Sequence, residues 1–237
     1  MDAARDPGCK LRHIEACLSP DVEYRKPSGF ADYDFENEAL PEASLAAIDL
    51  SASIAGKLLR APLMIAPMTG GTPRGRELNR RLAAVAEEFG LAFGVGSQRI
   101  ALEHAECAEY FRVRDVAPSV PLFANFGAGQ LACGYGADEG RRAVAMIGAD
   151  ALFVHLNPVQ EAVKAGDRDF RDVAQALARL CRELARDGIP VFAREVCFGM
   201  TAATAARLVE CGVAGIDCAG AAPLGSRLKE PSPQVTG

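Results

Sequence analysis

The chain has 237 residues, 49% of them hydrophobic and 24% charged, enough for one large domain with a substantial core. Lys plus Arg number 26 and Asp plus Glu 31, a net charge of −5 that speaks against general nucleic-acid binding, which needs a basic face. No apolar run approaches the roughly 18 residues of a membrane span, and Met1 to Lys10 has no signal-peptide core, so a cytoplasmic protein with no membrane contact is expected. The eight cysteines are scattered without a C-x-x-C pair. They read as reduced thiols, most of them buried as small apolar residues.

Residues 1–60 are mixed. Cys9 to Leu18 has the pattern of a short helix, with Lys10 and His13 three apart on one face. Asp21 to Leu50 carries Pro27, Gly29 and Pro41 and few apolar runs. It reads as an extended covering segment anchored by Phe30, Tyr33, Phe35 and Leu40.

From residue 62 a rhythm begins. Leu63-Met64-Ile65-Ala66 is an apolar run followed by Pro67-Met68-Thr69-Gly70-Gly71. A helical pattern covers Arg74 to Phe89, with Leu78, Leu82, Val85 and Phe89 on one face and Gly90 as its stop. Leu91 to Val95 leads into Gly96-Ser97-Gln98-Arg99, and Pro121 to Ala124 into Asn125-Phe126-Gly127. Helices are expected near Asp138–Ile147, Phe170–Ala185 and Ala202–Glu210. Ala151 to Val154 leads into His155-Leu156-Asn157-Pro158-Val159-Gln160-Glu161. Pro190 to Ala193 leads into Arg194-Glu195, and Ala214 to Asp217 closes the series.

Strand starts near 62, 91, 120, 151, 190 and 214 are spaced as strand-plus-helix units. Polar or glycine-rich residues follow each run, on the side that carries the site in a parallel barrel. An open doubly wound sheet has its site on the same side. The repetition favours an α/β fold of the TIM type, an incomplete (β/α) barrel with about six of eight units. After Gly220 the pattern fails. The expected organisation is a covering segment over 1–60, a partial barrel over 61–220 and an irregular tail over 221–237. Such an arc leaves two strand edges open, and self-association into a homo-oligomer is expected.

The residues that end the strands suggest chemistry. Thr69 with Gly70 and Gly71 offers a hydroxyl and permissive backbone, where a planar ring or phosphate can approach. Ser97, Gln98 and Arg99 supply a hydroxyl, an amide and a guanidinium able to hold a phosphate. Asn125 suits a heterocycle edge, or a turn. Glu161 suits Mg²⁺, which takes oxygen ligands shared with substrate phosphates. His155 reads as a positioning residue.

Together these motifs resemble the flavin-dependent type 2 isopentenyl-diphosphate isomerases over about residues 9 to 220. They are Lys10 with His13, Ala39-Leu40-Pro41-Glu42, Met68-Thr69-Gly70-Gly71, Gly96-Ser97-Gln98-Arg99, Asn125, and His155 to Glu161. The resemblance implies a TIM barrel that uses reduced FMN, Mg²⁺ and NADPH as reductant to interconvert isopentenyl and dimethylallyl diphosphate in isoprenoid biosynthesis. By the same resemblance, reduced flavin would serve as the acid and base of that reaction. Carried over motif by motif, Pro67, Met68, Thr69, Ser97, Asn125 and Arg194 would contact FMN. Lys10, Ser97, Gln98, Arg99 and Gln160 would contact the diphosphate substrate, with Gln160 catalytic and nearest the reacting carbons. Glu161 would hold the metal.

The chain also departs from the family. Cys9 replaces an Arg beside Lys10, with Arg12 as a candidate substitute. Arg194 replaces a Lys, and Ala222-Pro223-Leu224 stands where the family has Gly-Gly-Thr. The last two βα units, which carry the grip on the FMN phosphate, have no counterpart in the pattern. The chain is therefore expected to be colourless when purified, to bind FMN at best weakly and to be inactive as an isomerase even with reductant and Mg²⁺. Three alternatives stand beside that expectation: an enzyme completed in an oligomer, a non-catalytic remnant that either binds isoprenoid diphosphate or is a product of gene decay, and another FMN barrel with oxidoreductase chemistry.

Overall fold

The computed structural model describes residues 15, 17–18, 32–163 and 169–219. Cys9, Lys10, Arg12, His13, Phe30 and the tail over 221–237 lie outside the described residues. A hairpin comes first, β1 (Ala52–Ile54) and β2 (Lys57–Leu59), paired antiparallel. Its turn is Ala55-Gly56, both with positive φ (50° and 75°), the mirrored geometry that matches strand twist.

The rest is a run of strand–helix units: β3 (Met64–Ile65), α1 (Pro73–Phe89), β4 (Ala92–Gly94), α2 (Arg99–Glu103), β5 (Leu122–Gly127), α3 (Ala128–Ala132) and α4 (Ala137–Ile147). Then follow β6 (Ala151–Leu156), α5 (Pro158–Val163), α6 (Val173–Ala185), β7 (Val191–Glu195), α7 (Ala202–Glu210) and β8 (Gly215–Asp217). The six strands β3 to β8 pair in parallel and strictly in chain order. A doubly wound sheet would reverse its order at a switch point, and none occurs. The sheet is a curled half-barrel of the TIM type, with β3 and β8 at its edges among the described residues.

Local chemistry explains the element ends. Thr72 caps α1 by accepting the Gly75 N–H at 3.0 Å, Pro73 opens it, and Gly90 at φ +65° closes it. Pro158 likewise opens α5 directly after β6, where its missing N–H costs nothing.

The period-two alternation of the strands separates two cores. On the outer face Phe93, Leu122, Ala124, Phe126, Leu152, Val154, Val191 and Ala193 pack under the helices. On the inner face Ala92, Phe123, Ala151, Phe153 and Phe192 join Leu59 from the hairpin. Phe123 stacks on Phe153 at 4.6 Å, and Phe192 meets both edge-on at 5.2 and 5.8 Å, which makes an aromatic floor.

Three expectations need correction. Tyr33, Phe35 and Leu40 do not anchor the N-terminal segment; all three are exposed. In α1 the packed face is Gly75, Asn79, Ala83 and Ala86, while Leu78, Val85 and Phe89 lie outward. Small residues let the helix sit close to the sheet, and close approach here outweighs the larger apolar stripe. Only three of the seven described cysteines are buried, Cys181, Cys197 and Cys211.

The α1 finding is testable. Ala83→Leu should destabilise the fold by about 1–3 kcal/mol through overpacking. Leu78→Gln should stay within about 0.5 kcal/mol of the parent. Urea midpoints decide; the opposite order would return the core face to the leucine stripe.

Candidate active site

The aromatic floor sits low in the half-barrel, and a polar row stands above it. Cross-strand register places His155 beside Arg194 and Arg194 beside Asp217, all facing inward. Arg194 pairs with Asp217 at 2.5 Å, and its guanidinium lies 6.0 Å from the Phe153 ring centre. Asn125 is opposite Phe153 in register, yet its side-chain oxygen reaches His155 Nδ1 at 2.7 Å. With the amide oxygen accepting, this contact suits the imidazole tautomer that carries its proton on Nδ1. Gly127 makes room for this ring, since a Cβ there would stand 2.7 Å from His155 Nε2 and 2.6 Å from Gln130 Oε1.

The chain then turns from β6 into α5. Asn157 is buried, and its Nδ2 donates to Glu161 Oε1 at 2.7 Å, which holds the carboxylate in place. Gln160 and Glu161 are both half-buried on the first turns of α5. Gln160 Nε2 donates to Cys197 Sγ at 3.0 Å, in the turn that follows β7. Glu195 pins that turn, its Oε2 accepting the N–H groups of Cys197, Phe198 and Gly199 at 2.8, 2.7 and 3.0 Å.

The β3 and β4 loops form another part of the rim. Gly96 N–H donates to Thr69 O at 2.9 Å, and a Cβ on Gly96 would fall 2.5 Å from that oxygen. The Pro67–Thr69 loop is thereby drawn onto β4, with Pro67 and Thr69 buried and Met68 62% exposed. Ser97 is half-buried. Gln98 is fully buried: its Oε1 accepts the Asn125 N–H and its Nε2 donates to Ala143 O, both at 2.9 Å. Both ends of its amide are spent on backbone, so the geometry gives it a role in positioning Asn125. Arg99 opens α2 and donates through Nε to Glu103 at 3.0 Å. Tyr135, which also reaches Glu103, has its phenol pushed up to about 12 by burial and by that carboxylate.

The structure thus gathers Asn125, His155, Arg194 and Asp217 in the inner polar row, and Gln160 with Glu161 on α5. Lys10 lies outside the described residues. Sequence reasoning missed Asn157, Glu195, Cys197 and Asp217 as partners. Their only signal was position, at or just past a strand's C-terminal end. Among the described residues no three His, Cys, Asp or Glu side chains gather as a metal cage. None of the described helices is long and apolar enough to cross a membrane.

The chain is similar to an isopentenyl-diphosphate delta-isomerase of Stutzerimonas stutzeri (strain A1501), 53% identical over 215 residues, 90% of this chain and 61% of that protein. It is 45% identical over 222 residues to one from Nostoc sp. (strain PCC 7120), covering 93% of this chain and 63% of that protein. With one from Deinococcus radiodurans it shares 44% identity over 214 residues, 90% of this chain and 62% of that protein. The chain therefore spans about three fifths of the length of the curated relatives it matches. A mandelate oxidase with benzoyl-formic acid aligns with a TM-score of 0.49 at 15% identity, covering 88% of this chain and 66% of that one. No family model matches the chain.

Proposed function

We propose that the chain is a member of the isopentenyl-diphosphate delta-isomerase family, which its 44–53% identity to three curated members supports, and that its strand-end site serves the interconversion of isopentenyl and dimethylallyl diphosphate. One observation carries the reading: Gln160 and Glu161 stand together at the end of β6, each held by a buried partner, Cys197 and Asn157. A decayed remnant would not be expected to keep its site side chains so held. Among the described residues no buried side-chain nitrogen or oxygen lacks a hydrogen-bond partner.

The residues fit the groups this chemistry uses. Mg²⁺ takes one or two carboxylates plus substrate phosphates and water, and Glu161 offers one carboxylate already oriented by Asn157. Arg99, with Lys10 beyond the described residues, adds positive charge for a diphosphate. A flavin ring suits the rim made by Pro67, Met68, Thr69, Ser97 and Asn125, where the glycines at 94 and 96 keep the loop close. Arg194 is an inner-row cation under that rim, and Asp217 holds it in one orientation. Reduced FMN, with NADPH as reductant, supplies the acid and base of the allylic proton shift when bound.

The chain's own part is binding and orientation. Arg99 would pair with the diphosphate directly, and Glu161 would hold the Mg²⁺ that neutralises it. The isoprenoid carbons then lie beside Gln160, whose neutral amide orients them without competing for the proton. The aromatic floor of Phe123, Phe153 and Phe192 closes the site from below. A cytoplasmic setting and a homo-oligomer go with this reading.

The test is isothermal titration of isopentenyl diphosphate with and without Mg²⁺, followed by product analysis at excess reduced FMN. Mg²⁺-dependent binding and formation of dimethylallyl diphosphate at excess reduced flavin are the outcomes this reading requires, in place of the inactivity expected from the two βα units without counterpart. Binding indifferent to Mg²⁺, or no product at saturating reduced flavin, would overturn the proposal.

A further inference from the structure

Gln160 is an amide, and an amide in an open site can present either its oxygen or its NH₂ to a ligand. Something must choose. In this chain the Nε2 end lies 3.0 Å from Cys197 Sγ. Sulfur accepts weakly but is polarisable, and a buried thiol competes poorly as a donor. Cys197 is only 4% exposed, so water does not replace it there. The turn that carries it is itself fixed. Glu195 Oε2 gathers three successive N–H groups, those of Cys197, Phe198 and Gly199, and Gly199 takes φ +82° to complete the turn. The carboxylate is buried at 9% exposure, which strengthens those contacts.

We infer that Cys197 is a positioning residue for Gln160, the thiol holding the amide's NH₂ so that its oxygen faces the strand-end opening, with Glu195 locking the turn that presents the thiol. The inference rests on the proposed isomerase reading for its catalytic consequence, though not for the contact itself. Gln160 and Cys197 lie on successive βα units, 37 residues apart, so the clamp also ties two loops of the rim together. Cys197 touches no reacting atom in this account. It acts through Gln160, and its loss should change orientation more than affinity.

Two measurements on the full chain test this. The first needs no activity. The side-chain amide protons of Gln160 are identified by nitrogen-15 NMR, using Gln160→Leu to assign them, and their exchange with solvent is followed. In the parent and in Cys197→Ser, one Gln160 proton should exchange about fivefold slower than in Cys197→Ala, the order of one net hydrogen bond. Equal exchange in all three proteins would overturn the clamp. The second measures turnover with Mg²⁺ and excess reduced FMN. Cys197→Ala should lower kcat about fivefold with KM unchanged, and Cys197→Ser should recover to within about twofold. A raised KM at unchanged kcat, or a Ser variant no better than Ala at equal melting temperature, would also overturn it. If the parent itself shows no turnover, the isomerase reading fails, and exchange alone decides the clamp.

Discussion

Glu161→Ala and Gln160→Ala should each lower isopentenyl diphosphate turnover by about 10²–10³-fold, the range for removing one preorganised electrostatic or positioning group. The two losses should differ in kind. Glu161 is held by Asn157 at 2.7 Å and offers the carboxylate for Mg²⁺, so its loss should also abolish the Mg²⁺ dependence of substrate binding. Gln160 is a neutral amide, so its loss should leave Mg²⁺-dependent binding within about threefold and fall mainly on kcat. Initial rates at saturating reduced FMN and Mg²⁺, together with titration calorimetry, separate the two. Retained turnover in either variant would mean that the reacting carbons do not lie at the end of β6.

Asp150→Asn should cost about 2–3 kcal/mol of stability, the scale of hydrogen bonds to a charged group. Asp150 sits just before β6 at the end of the barrel opposite the site. It accepts the Leu122 N–H at 2.8 Å, Arg114 at 2.6 Å and Lys57 at 2.9 Å. These partners come from β5, from the loop before it and from the hairpin, so one carboxylate ties the hairpin to the barrel floor. Burial works against its ionisation, but the bonds from Leu122, Lys57 and Arg114 win and hold its carboxyl below the ordinary carboxylate value. A folded-state pKa below the unfolded one means that this stability is fully present above the unfolded value, about 4, and is lost as pH falls through the folded value. Urea midpoints at pH 7 should therefore fall in Asp150→Asn. The gap between variant and parent should close as the pH is lowered below about 4. A midpoint equal to the parent at pH 7, or a gap that does not close in acid, would show that the cluster is not a stabilising tie.

Much of the fold was legible because βα units are local. Strand starts expected near 151, 190 and 214 are observed at 151, 191 and 215, and the α1 bounds fall within one residue of the pattern. Thr72, Pro73, Gly90 and Pro158 mark element ends by their own backbone chemistry, which needs no partner elsewhere in the chain. The resemblance to the isomerases was legible for the same reason, since its motifs are contiguous runs at strand ends. The face of α1 was not legible, because burial there depends on how closely the sheet approaches. Side-chain size along the helix pointed to Leu78 and Phe89, whereas Ala83 and Ala86 lie against the core.

By itself, then, the sequence determined the succession of six parallel strands, the end of the sheet at which polar residues collect, and the kinship. The tertiary structure alone decided what each of those residues can touch. Gln98 and Arg99 are neighbours in the chain, yet Gln98 is sealed between β5 and α4 while Arg99 engages Glu103 one helical turn on. Asn125 meets His155, Asn157 meets Glu161, and Gln160 meets Cys197 across 30, 4 and 37 residues. Only the Asn157–Glu161 pair lies within one helical turn, where spacing speaks. The other two depend on the register and tilt between neighbouring strands. Register in a parallel sheet is fixed by the packing of both its faces at once, and no single stretch of residues carries that information.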